Sequence, residues 1–151
     1  MARAIFLQST VLGVALLASS SLWAVECADV IWAPATVERF PNIYNVCQAV
    51  VEQDGKHYVE VQAKFVSLND NKARLNFKTT EGTYDKTVET KELPKDFTVM
   101  INGKKELLRD VERNTDLTIY VPSDRFALVS DLAHITVVYE FEDAEPAPAK
   151  K

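Results

Sequence analysis

The chain has 151 residues, 47% of them hydrophobic and 26% charged, with 22 Asp+Glu against 17 Lys+Arg for a formal net charge of −5. That length suits one domain with one core. The acidic balance disfavours nucleic acid or an anionic membrane as a general partner, because either needs a basic field.

Residues 1–24 open with Arg3, run through the apolar "VLGVALLA" and end in "SLWA", the order of a secretory signal peptide cut after Ala24. The apolar run falls short of the roughly 20 residues a spanning helix needs, and Gln8, Ser9 and Thr10 interrupt it. A lipoprotein is disfavoured because Glu26 stands before Cys27, where a small residue is expected. The expectation is an exported protein, periplasmic or secreted, with no stable membrane insertion once the leader is removed.

Cys27 and Cys47 both lie beyond that leader. In an oxidising compartment they are expected to form a disulfide tying the N-terminal segment to the first strand, worth about 3 kcal/mol on the chain-entropy model. There is no CxxC, the spacing fits no zinc pattern, and no metal or cofactor is expected. The stretch "ATVERFPNIYNVCQAVVEQ" invites a helix, but Pro41 disfavours one and the Val-rich half leads into a hairpin.

Every glycine beyond the leader sits in a turn signal: Gly55 in "QDGK", Gly82 in "TEGT" and Gly103 in "INGK". Asp-Gly and Asn-Gly favour type I′ hairpin turns, whose central residues both need positive φ. With all three in turns, none remains for a phosphate-cradling loop. After "DG", His57, Val59, Val61, Ala63 and Phe65 fall on one face of a strand, with Tyr58, Glu60, Gln62 and Lys64 on the other. "LNDNK" makes the next turn, and Ala73, Leu75 and Phe77 then alternate with polar residues. "YDKTVETKEL" is polar and Thr-rich, as suits an edge strand.

Phe97, Val99 and Ile101 lead into "NG". "LLRDVER" is at most a short helical stretch, with Leu107, Leu108 and Val111 as its apolar side. "LTIYV" and "HITVVYEF" supply the last strands, joined by "SDRFALVSDLA". Phe126, Leu128 and Leu132 are expected to pin that connection to the core; the alternative is an exposed partner-binding loop in which Arg125, Phe126 and Leu128 form the contact surface. The expected fold is all-β: a single small antiparallel barrel or sandwich of about seven or eight strands over residues 25–142, with at most one short helical turn. Residues 143–151, within "EDAEPAPAKK", are expected to be a disordered tail.

Within "INGKKELLRDVERNTDLTIYVP", the residues Asn102, Gly103, Lys104, Leu108, Asp110, Val111 and Asp116 and the "LTIYVP" strand form a pattern of turn, short apolar step, turn and strand. It resembles a segment of small exported bacterial β-domain proteins of uncharacterised function, with Asn114 or Thr115 where those proteins carry a turn glycine. Asn tolerates left-handed backbone next best. The resemblance implies a fold and a compartment and brings no catalytic residues with it.

The two histidines, His57 near Asp54 and His134 near Asp131, are the only candidates for an acid-base pair, and neither lies in a nucleophile motif. No catalytic residue is therefore expected. The function expected is that of a non-catalytic envelope accessory or protein-interaction module, its partner an envelope protein. The alternative is a small barrel that binds a hydrophobic small ligand or inhibits an exogenous hydrolase.

Overall fold

The computed structural model describes residues 25–135 and 139–142, without the His134 side chain. The expected leader, residues 1–24, and tail, residues 143–151, lie outside the described residues.

After a 3-10 turn at Cys27–Asp29, the chain forms two short helices, α1 (Pro34–Arg39) and α2 (Ile43–Val46). Pro34 starts α1 at its first turn, where its missing N–H and fixed φ cost nothing. Pro41 stops it: Phe40, the residue before the proline, takes φ −135° and ψ 79°, outside the α region as the proline ring requires. The predicted break is thus real, but it leaves two helical pieces rather than at most one turn. Their inward residues, Thr36, Ile43 and Val46, are buried, so tertiary packing supports helices too short to persist alone.

The rest is antiparallel. The strands are β1 (Ala49–Gln53), β2 (Lys56–Asn69), β3 (Lys72–Lys78), β4 (Tyr84–Glu89), β5 (Thr98–Ile101), β6 (Lys104–Leu107), β7 (Asp116–Pro122), β8 (Ala127–Leu128) and β9 (Tyr139–Glu140). Among the described residues, seven strands form one sheet in the order β4-β3-β2-β7-β5-β6, with β1 also on β2, and β8 pairs with β9. The turns are those the sequence announces. Asp54 and Gly55 have φ 52° and 74°, and Asn102 and Gly103 have φ 50° and 76°, as type I′ turns demand. Asp70 and Asn71 make the same kind of turn without glycine, at φ 48° and 59°. Asn114 takes φ 67°, the left-handed backbone that Asn tolerates next best after glycine.

The 14-residue β2 is the spine. One edge pairs first with β1 and then with β3, and the other pairs with β7. Its alternation puts Val59, Val61, Ala63 and Phe65 inside, as expected. Two residues depart from that pattern. Tyr58, expected on the wet face, is buried, because its cross-strand neighbours Val51 and Pro122 share its face. Between Phe65 and Ser67 the register with β3 slips by one, a β-bulge that turns Leu68, opposite Ala73, toward the core.

The β8–β9 ribbon joins two separated parts of the sheet, β7 and the end of β4. Val129 exchanges backbone hydrogen bonds of 2.7 and 2.9 Å with Tyr120 of β7. On the other side Phe141 bridges Thr90, just past β4, while Lys91 N donates to Glu140 O and Glu142 N to Glu89 O. Beneath this seam four phenylalanines meet: Phe40 stacks on Phe126 at 5.6 Å between ring centroids, Phe126 lies 4.4 Å from Phe141, and Phe77 packs edge-on to both Phe40 and Phe141.

Candidate functional site

The disulfide forms. Cys27 and Cys47 are bonded with their Cα atoms 5.9 Å apart, so the bridge ties the first 3-10 turn to the residue that closes α2, immediately before β1. Within the loop it closes, Val30 and Trp32 turn into the core while Ile31 between them points outward and is 90% exposed. Tyr44, on α2, is 46% exposed and meets the Trp32 ring edge-on at 6.4 Å. The Trp32 indole N–H is buried without an acceptor among the described residues. An exposed apolar side chain thus sits on a disulfide-closed segment beside two aromatic rings.

The loop that the sequence suggested as a contact surface is placed differently. Phe126 and Leu128 are 5% and 1% exposed; Phe126 stacks inside the phenylalanine cluster, and Leu128 belongs to β8. They are core residues, since "FALV" turns inward to cover the opening of the sheet. Arg125 alone stays outside, donating to Asp124 Oδ2 at 3.0 Å. That bond holds the Asp124 carboxyl below its ordinary range and the Arg125 guanidinium above its own. Ala33 N donates to Ser123 O at 2.9 Å, so the Ile31 segment and the Asp124–Arg125 turn are neighbours. Beside this charged turn the exposed apolar side chain is Ile31. The sequence signal for it was faint: "DVIWA" carries three consecutive large apolar residues on a segment of irregular backbone, which cannot all point inward.

His57 does not pair with Asp54. It lies across the hairpin from Glu52, with Nε2 3.8 Å from Oε2 and its side chain 40% exposed. Asp131 accepts from Ala133 N and pairs with Lys105 at 2.9 Å; the His134 side chain falls outside the described residues. Burial, and then the carboxylates of Glu60 and Asp131, push the Tyr120 phenol up, which keeps it protonated at neutral pH. Among the described residues no group of three or more His, Cys, Asp or Glu side chains is placed to hold a metal ion, and no helix is long and apolar enough to cross a membrane.

Hollows are small. The interior void, lined by residues including Leu75, Val99 and Ile119, is about 10 Å³, near the least that admits one water. A broad hollow of about 280 Å³ outside the sheet is lined mainly by polar groups, among them Gln62, Asn102, Asp116 and Thr118. Tyr84 Oη donates to Asp116 Oδ1 at its rim, and the Lys64 ammonium lies 4.5 Å from the Tyr84 ring centroid. A third, of about 190 Å³, opens beside the β2–β3 turn and has an apolar floor. No family model, curated protein or solved structure matched the chain.

Proposed function

We propose that this chain is a non-catalytic exported β-domain that acts by contact, as an envelope accessory or protein-interaction module, with Ile31 and Tyr44 as its anchor and Arg125 at the rim. The observation that carries this reading is Ile31 at 90% exposure on a loop closed by the Cys27–Cys47 bond. A monomeric domain gains nothing from holding an isoleucine rigidly in water, whereas a partner that covers it gains its burial without having to order the segment. The disulfide fits an oxidising compartment, in keeping with the leader-like residues 1–24.

The test is crosslinking of the native chain in its own envelope and then affinity capture, comparing the wild type with Ile31→Asp and Arg125→Ala. The reading expects Ile31→Asp to abolish capture of a specific partner at unchanged melting temperature, and Arg125→Ala to weaken it. Equal capture by Ile31→Asp removes this surface.

A further inference from the structure

A hollow distant in sequence from the Ile31 patch lies where the bulged end of β2 meets the segment after β4. Leu68, Leu93, Pro94, Phe97 and Leu108 form its apolar wall, and Asn71, Lys95 and Arg109 stand around it. The local sequence explains the hollow. The bulge after Phe65 brings Leu68 to the inner side, Leu93 N ties back to Asn71 O at 2.8 Å, and Phe97 N closes a turn onto Pro94 O at 3.0 Å. That turn leaves Pro94 and Lys95 exposed above buried Leu93 and Phe97.

Size, charge and hydrogen bonding each restrict what fits. About 190 Å³ is too small for a drug-sized ligand, which takes roughly 300 Å³ or more, yet it exceeds the roughly 150 Å³ known to admit a benzene ring in an apolar protein cavity. Leu93, Phe97 and Leu108 line both this hollow and the small interior void. Two cations flank the opening. Arg109 has only Asp110 at 3.9 Å, both side chains being mostly exposed, and among the described residues no carboxylate pairs with Lys95. Three pairs of backbone groups around the hollow are engaged with one another: Asn71 O with Leu93 N, Pro94 O with Phe97 N, and Phe97 O with Leu108 N. Those groups are taken from the main chain of a bound peptide, which needs such groups for its affinity.

We propose that this hollow binds a small monocarboxylic acid with one aromatic or branched apolar body, the body against Leu68, Leu93 and Phe97 and the carboxylate between Lys95 and Arg109. Arg109 supplies a planar fork and Lys95 a point charge, together a fit for a carboxylate, and Asn71 adds an amide donor at the rim. The inference is independent of the contact function of the Ile31 patch.

Phenylacetate and its neutral isostere phenylacetamide are the probes, titrated into the 15N-labelled full chain and tracked by amide chemical shifts. The expected result is saturable shifts confined to residues 68–71, 93–97 and 108–109, with the acid bound at least tenfold more tightly than the amide. Lys95→Ala combined with Arg109→Ala, both exposed and outside the core, should reduce the acid to the affinity of the amide. Equal binding of acid and amide, shifts centred elsewhere, or an unaffected double variant overturns the proposal. So does a tripeptide ending in Phe that binds where phenylacetate does not, since the site would then belong to polypeptide carboxyl termini. Ile31→Asp must leave phenylacetate binding unchanged, which keeps failure here separate from failure of the contact reading.

Discussion

The β1–β2–β3 meander and the β8–β9 ribbon both contribute to one sheet-lined core, but they are held by different means. The meander is joined by two-residue turns in the conformation its twist requires and registered over long runs of paired residues. A single-residue slip there would expose its whole apolar face. Among the described residues the ribbon has two residue pairs of its own, the bridges Tyr120–Val129 and Thr90–Phe141 to the rest of the sheet, and backbone bonds from Lys91 N to Glu140 O and from Glu142 N to Glu89 O. What fixes it is phenylalanine: Phe126 before β8 and Phe141 after β9 lie 4.4 Å apart and pack against Phe40 and Phe77. Lys91–Glu140 and Lys72–Glu142 pairs close its outer margin. Among the described residues the meander is positioned by long backbone pairing, whereas at the ribbon an aromatic cluster joins shorter backbone pairing.

Removing one anchor should separate the two regions most sharply. Phe141→Ala should cost about 3–5 kcal/mol in urea denaturation, and at low urea hydrogen exchange should rise first in β8 and β9 while β2 and β3 stay protected. Leu75→Ala, in the meander, should cost about 2–5 kcal/mol and raise exchange across the whole sheet together. If both variants loosen the same amides, the division is wrong. Cys27→Ser with Cys47→Ser should lose about 3 kcal/mol, read as a lower urea midpoint, and should release the Ile31 segment without shifting the β2–β3 register.

Smaller changes sharpen the same contrast. Asn114→Val puts a β-branched residue at φ 67° and should cost about 1–2 kcal/mol in thermal or urea unfolding, against little or no loss for Asn114→Gly. Lys91→Ala removes a mostly exposed partner of Glu140 and should cost under about 1 kcal/mol. Its pH dependence has a defined sign. The Lys91 hydrogen bond holds the Glu140 carboxyl below its ordinary value, so the pair's contribution is complete above the ordinary glutamate range and is lost as pH falls through the lowered folded value. Glu142, lowered by Lys72, behaves in the same direction. Exchange at the ribbon should therefore quicken on acidification below that range, and Lys91→Ala should flatten the dependence.

Much of the fold was legible because its signals are local. Asp-Gly and Asn-Gly dictate their turns, alternation from Val59 to Phe65 dictates a face, and Asn114 stands in a turn that needs left-handed backbone. The Cys27–Cys47 bond could be read from compartment and number. What the sequence hid was non-local. The bulge after Phe65 is set by the partner strands, so a strict period of two misplaces Leu68 and its neighbours beyond the bulge. Tyr58 is buried by Val51 and Pro122, 7 and 64 positions away along the chain. Phe126 and Leu128 read first as core and alternatively as anchor residues for a partner, and their burial bears out the first. The candidate contact surface was half visible, in Arg125, and its apolar part was missed because exposure of Ile31 depends on Val30 and Trp32 both turning inward.

The proposed contact function places recognition at Ile31, exposed on a disulfide-closed segment. The most direct measurement replaces Ile31 with a photoactivatable amino acid in the native envelope, with the same replacement at Glu106 on the edge strand β6 as control. The account predicts one dominant crosslinked partner from position 31 and none shared with position 106. The same adducts from both positions, or none from position 31 in correctly oxidised protein, would contradict it.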